Sequence, residues 1–107
     1  MKDELIDKIE EFFKDIDYSI EYFLKNKYEN PTGELLFGEE VSLPRYAVIY
    51  SGMKDLMLDD EKLKRKDSFE EENKTRIQIF YIKNYNPVEG VLDQLKSEGY
   101  EIISQKN

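Results

Sequence analysis

Apolar positions recur at helical spacing at the start of the chain. Leu5, Ile6, Ile9, Phe12, Phe13 and Ile16 follow an i, i+1, i+4, i+7, i+8, i+11 pattern, with Asp3, Asp7, Glu10 and Glu11 between them. This predicts an amphipathic helix over 3–13. Asp3 and Glu4 fall in its first turn, where the helix dipole favours negative charge. Residues 16–28 fit two patterns. Ile16, Ile20, Phe23 and Leu24 continue the helix, whereas Ile16, Tyr18, Ile20, Tyr22 and Leu24 alternate with Asp17, Ser19 and Glu21. A strand puts the latter five side chains on one side, and Tyr and Ile favour strands, so the alternation predicts a strand over about 17–26.

Asn30-Pro31-Thr32-Gly33 is a turn signal. Leu35, Phe37 and Val41 predict a second strand with Gly38 at a bulge. After Pro44, the nearly continuous apolar run Tyr46-Ala47-Val48-Ile49-Tyr50 reads as a central strand covered on both faces. Ser51-Gly52 ends it, and Met53, Leu56 and Met57 fit a short helix. Residues 59–74 are almost wholly charged, with only Leu63 and Phe69 as anchors, which predicts an exposed, mobile loop or helix end.

Thr75 to Tyr85 is the clearest strand, with Ile77, Ile79 and Tyr81 facing one way and Gln78, Phe80 and Ile82 the other. A helix follows, with Asn86 as its cap, Pro87 at the first position, Glu89 completing a capping-box-like pair and Val88, Val91, Leu92 and Leu95 as its buried stripe. Gly90 within it suggests close packing, and Gly99 fits the left-handed position after it. Tyr100, Ile102 and Ile103 form a last strand. The order α-β-β-β-(α)-β-α-β predicts a single α+β domain over 1–107: a mainly antiparallel sheet of about five strands, helices packed on one face and a right-handed final crossover. The expected core contains Ile9, Phe12, Val48, Ile49, Ile79, Leu92 and Leu95.

Composition narrows the chemistry. The 107 residues include no cysteine and no histidine, which removes thiolate nucleophiles, disulfides, the commonest metal ligand and the usual general base near neutral pH. There is no G-x-G-x-x-G and no P-loop, so no cofactor is expected. Met1-Lys2-Asp3-Glu4 carries no apolar run and no stretch is long enough to span a membrane, which predicts cytoplasmic residence. The abundance of Lys, Asn, Ile and Tyr fits an AT-rich source such as a virus or phage.

The net charge is −8, and residues 1–40 carry 12 acidic against 5 basic side chains. Free nucleic acid is then a poor ligand, since phosphate affinity comes from clustered Lys and Arg; a basic protein surface is the natural partner. Lys62 to Lys66 is a short basic run, but acidic triplets flank it and cancel its field beyond about 10 Å. Eight tyrosines are more than one small core can hold, and Tyr is enriched at interfaces.

These features point to a non-catalytic protein-binding module: a virus- or phage-encoded inhibitor of a host defence protein, acting through an acidic surface that mimics nucleic acid. Its candidate contacts are Asp7, Glu10, Glu11, Asp17 and Glu21, with Tyr18 and Tyr22 as anchors. An immunity protein or antitoxin masking a basic toxin uses the same surface. A metal-dependent nuclease is a third reading, on Asp55, Asp59 and the Glu72-Asn73-Lys74 element. An open sheet edge predicts a two-fold dimer.

Overall fold

The computed structural model describes residues 4–14, 19–27, 34–36, 39–41, 44–52 and 58–105. In chain order these form α1 (Glu4–Phe13), β1 (Ser19–Asn26), β2 (Glu34–Leu36), β3 (Glu39–Val41), β4 (Arg45–Gly52), α2 (Asp60–Asn73), β5 (Arg76–Lys83), α3 (Val88–Ser97) and β6 (Tyr100–Gln105). The chain is a small α+β domain built on a mixed four-stranded sheet in the order β5-β4-β1-β6. β1 is antiparallel to both β4 and β6, and β4 is parallel to β5.

The expected single five-stranded sheet is corrected here. Residues 34–41 are not one bulged strand of the main sheet; β2 and β3 pair with each other as a separate antiparallel ribbon. A glycine between two short runs signals a hairpin as readily as a bulge, and such a hairpin satisfies its backbone locally. Phe37 and Gly38, the turn at 30–33 and the short helix at 53–57 lie outside the described residues.

The expectation that helices cover one face is also corrected. Ile6, Ile9 and Phe13 of α1 pack with Phe23, Val48 and Ile77 on one side of the sheet, where Phe69 of α2 joins them. Leu92 and Leu95 of α3 pack with Leu24, Ala47, Ile49 and Ile82 on the other. The chain order of the strands explains this. The connection from β4 to β5 through α2 moves outward by one strand, whereas that from β5 to β6 through α3 runs back past β4 and β1. Two crossovers of the same hand running in opposite directions place their helices on opposite faces. Of the expected core, Ile9, Val48, Ile49, Leu92 and Leu95 are buried, and Phe12 and Ile79 partly so.

Residues 59–74, expected as an exposed, mobile loop or helix end, hold the longest described helix, α2. Its Lys, Arg, Glu and Leu residues are good helix formers. The Asp59 side chain accepts the Lys62 N–H at 2.8 Å, and Asp60 and Glu61 complement the dipole. Lys66 and Glu70 form an i, i+4 pair at 3.2 Å. Lys74 ends the helix in the left-handed region at φ 48°.

α3 begins one residue later than expected. Pro87 is its N-cap with no side-chain cap bond, and Asn86 instead donates its backbone N–H to Lys83 O at 2.8 Å in the preceding turn. Gly99 adopts the expected positive φ of 93°. Gly90 does not serve close packing: it is exposed, and a Cβ there would meet nothing within 4 Å. Gly90→Ala is therefore expected to stabilise the protein by about 0.5–1 kcal/mol, through helix propensity and a less flexible unfolded chain. Urea denaturation measures this, and an unchanged or lower midpoint contradicts it.

Candidate functional site

The candidate site is the outer face of the α1–α2 layer. On α1, the buried residues and Leu5 and Phe12 occupy one side, leaving Glu4, Asp7 and Glu11 exposed on a single stripe at three- to four-residue spacing. Lys8 stands on the flank toward α2 and reaches Asn73 Oδ1 at 3.5 Å. Glu11 pairs with Lys14 at 2.5 Å, both side chains well exposed. Glu10 is half-buried.

α2 lies beside α1. The rings of Phe12 and Phe69 meet with centroids 5.3 Å apart, and the Arg65 guanidinium sits 5.8 Å from the centroid of Phe12. Glu61, Arg65, Ser68 and Glu72 follow one another along the α2 side that faces α1. With Lys64, Phe12 and Phe69 they line an open groove of about 370 Å³, in which two cations stand beside the two carboxylates. Asp60, Asp67 and Glu71 are exposed farther round the helix. The layer thus presents the carboxylates of α1 beside an aromatic floor that α2 rims with both carboxylates and cations. The α2 contribution is what sequence reasoning missed. Its acids were legible as charges, but only a helix at 60–73 packed beside α1 joins them to the first stripe.

The structure brings together only part of the expected contact set. Asp7, Glu10 and Glu11 share α1. Glu21 does not belong with them: it is half-buried at a β1 bulge, where its carboxylate accepts a hydrogen bond from the Ser51 hydroxyl. That bulge also corrects the expected one-sided alternation of β1. Ile20 pairs with Tyr50 and Tyr22 with Ile49, so Ile20 and Phe23 face the α1 side while Tyr22 and Leu24 face α3. Tyr22 is therefore a half-buried residue of the opposite face. Asp17 and Tyr18 lie outside the described residues. Of the described tyrosines, Tyr46, Tyr50 and Tyr100 are buried and Tyr22 and Tyr81 half-buried, while Tyr85, in the turn after β5, is 77% exposed with the Lys83 ammonium 5.9 Å from its ring centroid.

Comparison with protein-family models, with curated proteins and with solved structures finds no match. The functional reading therefore rests on geometry. The residues of the nuclease reading are not assembled: Asp59 caps the start of α2 and Glu72 lies in its last turn, about 20 Å away at 1.5 Å per residue. Asp55 lies outside the described residues, and among those described no three His, Cys, Asp or Glu side chains group to hold a metal. Among the described residues no helix is long and apolar enough to cross a membrane.

A second polar region lies at the other end of the β4–β5 pair, where Arg45, Arg76 and Tyr100 line a cleft of about 310 Å³. Burial raises the Tyr100 phenol above its ordinary pKa; the Arg45 charge and a hydrogen bond with Asn26 oppose this, and Glu98 adds to it.

Proposed function

We infer that this protein acts by binding, and that its working surface is the outer face of the α1–α2 layer, presented to a basic protein. The observation that carries this reading is the exposed carboxylate stripe of Glu4, Asp7 and Glu11 on α1, beside an aromatic-floored groove whose α2 wall carries Glu61 and Glu72 together with Lys64 and Arg65. Carboxylates on two rigid helices mimic in a general way the spaced charges of a phosphate backbone, so a nucleic-acid-binding protein is the partner class with the right complementarity. Inhibition of such a protein, whether a defence nuclease or a toxin, is the activity that masking its basic site would produce. β5 and β6 are the edge strands of the described sheet, where the expected two-fold pairing would form.

The test is charge reversal. Asp7→Lys with Glu11→Lys changes two exposed positions one helical turn apart and should leave the urea midpoint nearly unchanged. Immobilised wild-type protein should retain basic proteins from a lysate of its source cell, identified by mass spectrometry and eluted by moderate salt. The double variant should bind the partner so identified about tenfold more slowly, with a flatter salt dependence, because surface charges act mostly on association rate. Retention that ignores both salt and reversal would end this reading.

A further inference from the structure

α2 is attached to the domain differently from the other two helices. Ile6, Ile9 and Phe13 of α1 and Leu92 and Leu95 of α3 are buried, whereas none of the 14 residues of α2, all of them described, is buried. Its two apolar side chains are Leu63, which is exposed, and Phe69, which is half-buried. Desolvation of apolar surface is the main force that holds a helix to a sheet, and α2 contributes little of it.

The contacts that α2 makes with its neighbours are of a kind that water can replace. Phe69 meets the half-buried ring of Phe12, Arg65 lies over that ring, and Lys8 reaches Asn73 Oδ1 at 3.5 Å. Toward the sheet, Glu70 Oε2 accepts the Ile77 N–H at 2.7 Å. A polar contact contributes little net stability when both partners can return to water, so lifting α2 away costs far less than opening the sheet.

The backbone marks where this unit ends. Lys74 closes α2 at φ 48°, a left-handed conformation that a residue with a Cβ adopts at a cost, so the joint loses nothing by relaxing. Just beyond it, the Thr75 hydroxyl and the Arg76 N–H both donate to Pro44 O, at 3.0 and 2.9 Å, which fastens the chain to the sheet independently of α2. Successive amides of a strand point to opposite sides, and the next one, Ile77 N–H, goes to Glu70 of α2. Neighbouring amides of β5 therefore report on different attachments: Arg76 on the sheet and Ile77 on α2.

We propose that α2 is a detachable element, which undocks as one unit while α1, α3 and the sheet stay folded. The groove between α2 and α1 exists only in the docked state, so this equilibrium sets the fraction of molecules that present it. The inference does not depend on what the layer binds. Native-state amide hydrogen exchange of the wild type and of Leu95→Ala, read residue by residue by nuclear magnetic resonance, tests it. In the wild type, the amides of residues 66–73 and of Ile77 should share one protection level, about a hundredfold or more below that of Ala47 and Val48 in β4. Leu95 lies on the opposite face of the sheet, so its truncation weakens the docked and undocked forms alike. Leu95→Ala should therefore cut protection at Ala47 and Val48 about thirtyfold or more and leave α2 and Ile77 within about twofold of the wild type. If circular dichroism shows that Leu95→Ala is unfolded, Ile49→Val makes the same comparison, with a fall of about two- to tenfold in β4 and none in α2. Protection of α2 equal to that of β4, acceleration of α2 together with β4 in the folded variant, or exchange of Ile77 that follows Arg76 and not α2 overturns the proposal.

Discussion

Leu95→Ala is expected to lower the free energy of unfolding by about 2–5 kcal/mol, the largest single effect of those considered. Leu95 is 1% exposed and belongs to the cluster that α3 forms with Leu24, Ala47, Ile49 and Ile82. On the opposite face α1 and α2 share the covering, whereas among the described residues α3 is the only helix packed on this one. A cavity under α3 therefore has no second helix to close over it. Total stability for a chain of this length is on the order of 5–10 kcal/mol, so the loss removes a large share of it. Leu63→Ala, at a leucine 43% exposed on α2, should cost less than about 1 kcal/mol. Urea denaturation followed by circular dichroism measures both. Equal costs, or a loss below about 0.5 kcal/mol at Leu95, would contradict the packing of α3 on the sheet.

The second large effect is expected at Glu70. The carboxylate fastens α2 to β5 by accepting the Ile77 N–H at 2.7 Å, and it pairs with Lys66 at 3.2 Å, with both side chains about one-fifth exposed. Glu70→Ala leaves a buried backbone donor and a half-buried ammonium without their acceptor, at a cost of about 1–3 kcal/mol. Glu71→Ala changes the next residue, which is exposed, and should cost less than about 0.5 kcal/mol. Amide exchange separates the two: the Ile77 N–H should exchange faster in Glu70→Ala and at the wild-type rate in Glu71→Ala. Matching losses in the two variants would show that the Glu70 contact carries no stability.

The candidate site was legible in the chain as charge and not as place. Asp7 and Glu11 stand out because four-residue spacing on an amphipathic helix puts them on one wet stripe. Glu21 and Tyr22 were misplaced for a single reason. The β1 bulge inserts one residue between two pairs of the ladder, and a slip of one residue sends every later side chain to the other face. The local signal is partial: Ile16 to Tyr22 alternate with polar residues, but Phe23 makes an apolar run with Tyr22 and Leu24 just after the bulge. The α2 acids were missed because a helix without an apolar stripe has no periodicity to read. Its stability comes from the Asp59 cap, the Lys66–Glu70 pair and the single packed ring of Phe69.

The sequence by itself determined the α+β class, α1, the runs that became β4 and β5, the two facings of β5, the Leu92–Leu95 stripe of α3 and the left-handed Gly99. Each rests on an interaction between residues close along the chain, which periodicity and propensity report directly. Only the tertiary structure decided that β2 and β3 leave the main sheet, that β1 lies between β4 and β6, and that the helices divide between two faces. Only it set Arg45 beside Arg76, residues 31 positions apart in the chain. Strand order is chosen by which long-range pairings bury the most apolar surface and satisfy the most backbone groups together, and such a sum over distant segments leaves no mark in any local stretch of sequence.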